Sequence, residues 1–137
     1  HEVIGRADAE ILRSLLTEIG YRTSGVGPLV YVEGNDYAID VMGACSSSNV
    51  IGTIVVGYLI IVLGRRGRLV ASDISWITAL LVAGMTINWL RLVPTAISRE
   101  GHAYWHDGDG AGYVSLAYGM LTIGAAFAAS READRRA

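Results

Sequence analysis

Three side chains in this 137-residue sequence could do chemistry together: Cys45, Arg91 and His106. Cys45 is the single cysteine, and it stands in Val41-Met42-Gly43-Ala44-Cys45-Ser46 at the head of an apolar run. A free thiol has a pKa of about 8.5 and attacks only as the thiolate, so a working cysteine needs a cation or a base beside it. Arg91 cannot be that base, because a guanidinium keeps its proton. It can hold a carboxylate, favour a thiolate or bind an oxyanion. His106, with His102 as a rival, offers an imidazole that could take a proton from the thiol and return it to a leaving amine.

Plainer readings stand beside each of these. Cysteine is a common inert packing residue in membrane helices, an arginine at a membrane edge can snorkel to water, and loop histidines are often only solvated. A metal is another alternative, since His102, His106, Asp107 and Asp109 are ligand types. The run Asp107-Gly108-Asp109-Gly110 lacks the further ligands of a calcium loop, and no metal or cofactor is expected. Ser46-Ser47-Ser48 has no base at a local spacing. One cysteine excludes an internal disulfide and any multi-cysteine cluster. A net charge of -2 gives no reason to expect nucleic acid.

A membrane is what would bring the three residues together. The chain is 52% hydrophobic and 18% charged, against about 25% charged in an ordinary soluble domain. Residues 41–64, 74–90 and 111–130 nearly lack charge, and each window approaches the roughly 20 residues that cross about 30 Å of hydrocarbon. Transmembrane helices are expected at about 41–64, 70–94 and 110–130, the second interrupted by Thr78, Thr86 and Asn88 and ended by Pro94. Residues 41–137 then form a transmembrane catalytic core.

Residues 1–40 precede it. Ile11, Leu12, Leu15, Leu16 and Ile19 recur with a helical period, predicting an amphipathic helix that lies along the membrane surface or finishes an upstream span. Gly20, Gly25, Gly27 and Pro28 break it. Two β-prone stretches, at 29–32 and 37–41, flank Glu33-Gly34-Asn35-Asp36 and predict a small hairpin that delivers the chain to Cys45. The fold class is an all-α membrane bundle of about three spans, preceded by that helix and hairpin.

Orientation follows from arginine. All 11 basic residues are arginines; Arg65, Arg66 and Arg68 crowd the loop after the first span, and Arg131, Arg135 and Arg136 follow the third. The positive-inside rule puts both groups in the cytoplasm. Cys45, Arg91 and His106 then share one depth at the outer face of a multi-pass cell-membrane protein. Packing faces are expected from Cys45, Asn49 and Gly52, from Asn88 and Arg91 at i,i+3, and from Gly112, Ser115, Gly119 and Thr122. Trp76, Trp89 and Trp105 are expected to anchor helix ends at the headgroups.

The stretch Val32-Glu33-Gly34-Asn35-Asp36-Tyr37-Ala38-Ile39-Asp40-Val41-Met42-Gly43-Ala44-Cys45-Ser46 resembles the signature of the exosortase/archaeosortase family. Asn88-Trp89-Leu90-Arg91-Leu92 resembles that family's Asn-x-x-Arg element, and Trp105-His106-Asp107-Gly108-Asp109-Gly110 its aromatic-His-x-x-x-Gly element. The likeness covers roughly residues 11–127. It implies a polytopic cysteine peptidase of transpeptidase type that recognises C-terminal sorting signals of exported proteins and removes the anchor helix. On that resemblance Cys45 matches the nucleophile, Arg91 the essential arginine, His106 the histidine and Asn88 a supporting position. The chain departs from the family in reading Ser-Ser-Ser-Asn after the cysteine, in a short Arg-to-His interval and in its few spans. The last departure implies either the C-terminal part of a longer protein or a reduced homologue. The alternative is a non-catalytic small membrane subunit, or a degenerate homologue that binds membrane partners without cutting.

Overall fold

A computed structural model describes residues 2–136. The elements run α1 (Glu2–Glu18), β1 (Thr23–Ser24), β2 (Leu29–Val32), β3 (Ala38–Asp40), a single 3-10 turn at Gly43–Cys45, α2 (Ser47–Arg66), α3 (Ser72–Ile97), α4 (Arg99–His102), a wide π turn at Ala103–Asp107, and α5 (Asp109–Arg136). Helices α2, α3 and α5 are long and apolar enough to cross a membrane. The molecule is an all-α membrane bundle carrying a small sheet at one end.

The expected hairpin is present as β2 and β3, with Val30 opposite Ile39. Two residues of β1 add a third antiparallel strand on the far side of β2. Strand alternation sends Val30, Val32 and Ile39 inward. They meet Ala9, Leu12 and Leu16 of α1, together with Leu92 and Ala96 of α3. The apolar face of α1 therefore packs on protein instead of lying along the membrane surface. Its buried stripe is Gly5, Asp8, Ala9, Leu12 and Leu16, while Ile19 stays exposed. Gly5 marks the closest approach, since a Cβ there would sit 2.6 Å from the Val41 carbonyl oxygen.

A second core fills the bundle, with Val50, Ile54, Tyr58 and Val62 of α2 against Leu80 of α3 and Val114, Tyr118 and Ala126 of α5. Of the residues the spacing suggested, Thr122 packs closely: it is 5% exposed, and a Cβ on Gly57 would lie 3.3 Å from its methyl. A Cβ on Gly84 would collide with the Ile54 side-chain tip and lie 3.1 Å from Val50 Cγ1, so its absence lets α3 sit close to α2 without displacing either side chain. Gly52, Gly112 and Gly119 face open space.

Two helix boundaries also differ from expectation. The apolar run opens at residue 41, yet α2 starts at Ser47, because residues 43–45 form the 3-10 turn and Ser46 caps the helix by accepting from the Ser48 amide at 3.2 Å. Helix α3 passes through Pro94 to Ile97. Proline removes only the donor that would meet the Leu90 carbonyl, and the last-turn carbonyls, which have no donor further along the helix, find other partners. Tyr37 Oη donates to the Thr95 and Ala96 carbonyls at 3.2 and 3.3 Å, and Asn35 Nδ2 to those of Ala96 and Ile97 at 2.8 and 3.2 Å. The hairpin tip is thus the C-terminal cap of α3. A two-pronged pair of Arg99 with Asp36 seals that corner.

At the opposite end, Asp73 in the first turn of α3 is 2% exposed. It accepts from Tyr58 Oη at 2.7 Å, from Arg66 at 2.6 Å and from the Val70 amide at 2.7 Å. This knot fixes the short α2–α3 turn, with Arg66 buried as well. Replacing one member of a buried pair strands the other charge, at a typical cost of about 3–5 kcal/mol. Asp73→Ala is expected to lower the thermal midpoint of the purified protein accordingly, and an unchanged midpoint would remove the knot from the stabilising contacts.

Candidate active site

Cys45 ends the 3-10 turn, one residue before the cap of α2, and is 3% exposed. The turn is held by a carboxylate. Asp8, 1% exposed on the buried stripe of α1, accepts from the Ser47 amide at 2.7 Å, Ser47 Oγ at 2.7 Å, Ser46 Oγ at 3.2 Å and Trp89 Nε1 at 2.9 Å. One side chain therefore joins α1, the start of α2 and α3. Its negative charge also sits at the N-terminus of α2, where the backbone dipole favours an anion. The indoles of Trp89 and Trp76, expected at the headgroup level, donate within the protein, Trp76 to Glu132 at 3.0 Å.

Asn88, fully buried in α3, donates from Nδ2 to the Cys45 carbonyl at 3.0 Å. Three residues on, Arg91 reaches a cavity of about 220 Å³ between α2, α3 and α5. His106, in the π turn ahead of α5, lines the same cavity, as do Asn88, Ser115 and Tyr118. Side chains lean toward the N-terminus of their own helix. Because α3 and α5 run in opposite directions, Arg91 and Tyr118 lean toward one another and meet in the cavity.

His106 is paired on one side. Its Nδ1 lies 2.7 Å from Asp107 Oδ1, and that hydrogen bond to the imidazole holds the Asp107 carboxyl below the ordinary range. With Nδ1 so engaged, Nε2 is the nitrogen left for proton transfer. His102 stacks on His106, rings 4.8 Å apart and 13° from parallel, and meets the Tyr37 ring edge-on at 6.0 Å. His102 is thereby a neighbour of His106 and is absent from the cavity lining. Donor atoms of His102, His106 and Asp107 lie within 4.8 Å of one another. Near-parallel rings do not aim both lone pairs at a common point, so this arrangement suits a carboxylate–imidazole pair better than a chelate.

Of the three residues singled out in the sequence, Arg91 and His106 are brought to one cavity. Cys45 is not in its lining. The thiol packs in the sheet-side core and is tied to the cavity wall through Asn88. Burial pushes its pKa up, opposed by the Arg91 guanidinium, with Asp107 and Asp40 adding to the upward push. The Cys45 thiol thus lies in the field of an arginine while its burial holds the pKa above the ordinary range. Sequence reasoning missed Asp8 and Tyr118, and read Asp107 only as a possible metal ligand, not as the partner of His106. Asp8 carried a readable signal, a carboxylate on the same helical stripe as Gly5, Ala9 and Leu12. Tyr118 looked like any aromatic in an apolar span.

Two outcomes follow from this geometry. Asp8→Asn turns an acceptor into a donor facing donors, so stability should fall by about 2 kcal/mol or more and Cys45 should react faster with a maleimide. Unchanged melting and labelling would mean that the carboxylate does not hold the turn. For the thiol itself, alkylation should be slow at neutral pH and keep rising above the ordinary thiol range. Arg91→Gln removes the one contribution that lowers the thiol pKa, so the rate at fixed pH should drop, by about tenfold for each pK unit lost. Equal rates in the two proteins would show that Arg91 does not act on the sulfur.

Comparisons with protein-family models, curated proteins and solved structures return no match to this chain.

Proposed function

We propose that this chain is the catalytic core of a membrane-embedded cysteine peptidase of transpeptidase type, acting on C-terminal sorting signals of exported proteins at the extracytoplasmic face of the cell membrane. The observation that carries the reading is the shared cavity of Arg91 and His106, with Asn88 linking its wall to the Cys45 carbonyl. The exosortase/archaeosortase-like motifs assign the same three residues. A basic loop after α2 and a basic tail after α5 support the orientation.

In the proposed reaction the substrate carbonyl lies between Cys45 and the cavity. His106 Nε2 accepts the thiol proton as sulfur attacks, forming the S–C bond and moving the carbonyl π pair onto oxygen. Arg91 binds that oxyanion, and Asp107 steadies the imidazolium. Collapse breaks the C–N bond, His106 returns the proton to the departing amine, and a thioester remains. Water, an amine or a hydroxyl then attacks the thioester and releases Cys45. Because the sulfur is enclosed and outside the cavity lining, substrate binding has to open the sheet-side core around Cys45 before attack.

One observation favours the second reading, a non-catalytic membrane subunit: Cys45 is 3% exposed among Ala9, Leu12 and Val41 in that core. Co-expression with a secreted reporter ending in a short motif, an apolar helix and an arginine-rich tail separates the two. Cys45→Ala and Cys45→Ser should both abolish shortening of the reporter while the protein accumulates normally, and His106→Ala should reduce it at least about 100-fold. Full shortening by Cys45→Ala would eliminate the peptidase reading.

A further inference from the structure

The sheet leaves one edge open beside the turn that carries Cys45. Strand β3 pairs with β2 alone. Hydrogen bonds at both ends of β2 fix which backbone groups face which way. The Glu33 amide donates to the Arg22 carbonyl at 2.8 Å, and the Val41 amide to the Pro28 carbonyl at 3.0 Å. Backbone groups alternate sides along a strand, so Ile39 and Val41 turn theirs toward β2 while Ala38 and Asp40 turn theirs outward. Among the described residues no strand meets that outer side, and Ala38 and Asp40 are both exposed. The open strip continues to the site. Gly43 is exposed too, and a Cβ there would meet nothing within 4 Å. Cys45 follows two residues later, and its sulfur feels the Asp40 charge. Native sheets blunt free edges with proline, a bulge, a cover or a charge. On β3 the only such device is the Asp40 carboxylate, which joins none of the ion pairs among the described residues. That charge repels an acidic strand and favours a cationic one.

We infer that the outer edge of β3 is the docking strand for an extended peptide, which joins the sheet with a basic side chain beside Asp40. Main-chain hydrogen bonds to Ala38 and Asp40 hold the peptide, and alternate side chains read it. Ile39 points to the core, whereas Ala38 and Asp40 point to the exposed face. A strand paired with them therefore presents apolar residues on the first side and basic residues on the second. For the identity of the peptide the inference rests on the peptidase reading: it is the segment just ahead of the sorting signal's anchor helix. That helix enters the membrane in the same direction as α2, so the added strand runs parallel to β3. It then delivers its next residues to the Cys45 turn, as β3 delivers its own.

Docking needs no sulfur, so binding is measured on the full chain with Cys45→Ala in phosphatidylcholine nanodiscs. The probe is a fluorescent six-residue peptide alternating valine and arginine, followed by anisotropy. Saturable binding is expected. In a parallel pair the groups that face β3 belong to the residues lying on the Ile39 side, the valines. N-methylation of the valines keeps every side chain and charge but removes those donors, and should weaken binding at least about tenfold. N-methylation of the arginines should leave affinity unchanged. Ala38→Pro removes an outward amide that β2 does not use, a change edge strands accept, and should weaken binding about fivefold. The methylated peptides need no change in the protein, so the test stands even if that variant fails to fold. No saturable binding of the unmethylated peptide, or equal affinity for all three peptides, overturns the proposal. Loss confined to the N-methylarginine peptide would mean antiparallel pairing and overturns it as well. Failure of the wild-type chain to shorten the secreted reporter, with this binding pattern intact, removes the peptidase reading alone and leaves the docking edge.

Discussion

A single buried carboxylate organises the end of the molecule where the candidate chemistry sits. Asp8 is enclosed on α1, and all four of its hydrogen-bond donors come from elsewhere in the chain, three from Ser46 and Ser47 and one from Trp89. A carboxylate removed from water is tolerated only when its lone pairs are met and a favourable potential surrounds it. Here the donors meet the first condition and the N-terminus of α2 contributes to the second. The same bonds that make Asp8 tolerable also fix where the Cys45 turn lies relative to α3. If α1 were displaced, the turn, the helix cap and Trp89 would lose a common partner together.

The second constraint runs through the hairpin. Helix α3 reaches Ile97 past a proline, and its final carbonyls would be poorly satisfied without Asn35 and Tyr37. The Asn-containing tip and the arginine-bearing helix, far apart in sequence, are therefore one mechanical unit. Tyr37 carries the link onward by meeting His102, which stacks on His106. A chain of ring contacts and carbonyl caps connects the hairpin to the imidazole, so the position of His106 depends on residues about 70 positions earlier.

Between these two supports the resting arrangement is closed on one side and open on the other. The thiol is enclosed by the sheet-side core, whereas Arg91 and His106 face a cavity with a polar mouth. Enclosure raises the thiol pKa and shields a lone cysteine from adventitious oxidation.

Much of the architecture was legible in the residues themselves. Three long stretches without charge can be stable only as buried or lipid-facing helices, and alternation around Glu33-Gly34-Asn35-Asp36 reads as a hairpin whatever surrounds it. These are local patterns, set by hydrogen-bond satisfaction along a single segment. The pairing of Asn88 with Arg91 at i,i+3 was local too, and both do reach one cavity. What depended on tertiary structure was every relation across segments. The apolar face of α1 could have met lipid or protein; packing against Val30, Val32 and Ile39 decided for protein. The start of α2 moved from 41 to Ser47 because Asp8 and the Ser46 cap hold the preceding turn, and α3 outlasted Pro94 because a distant hairpin caps it. Sequence placed a thiol, a guanidinium and an imidazole at one depth, since depth follows from helix length. Their azimuth around the bundle follows from which side chains interlock, and that put Arg91 and His106 in a common cavity while turning Cys45 into the neighbouring core.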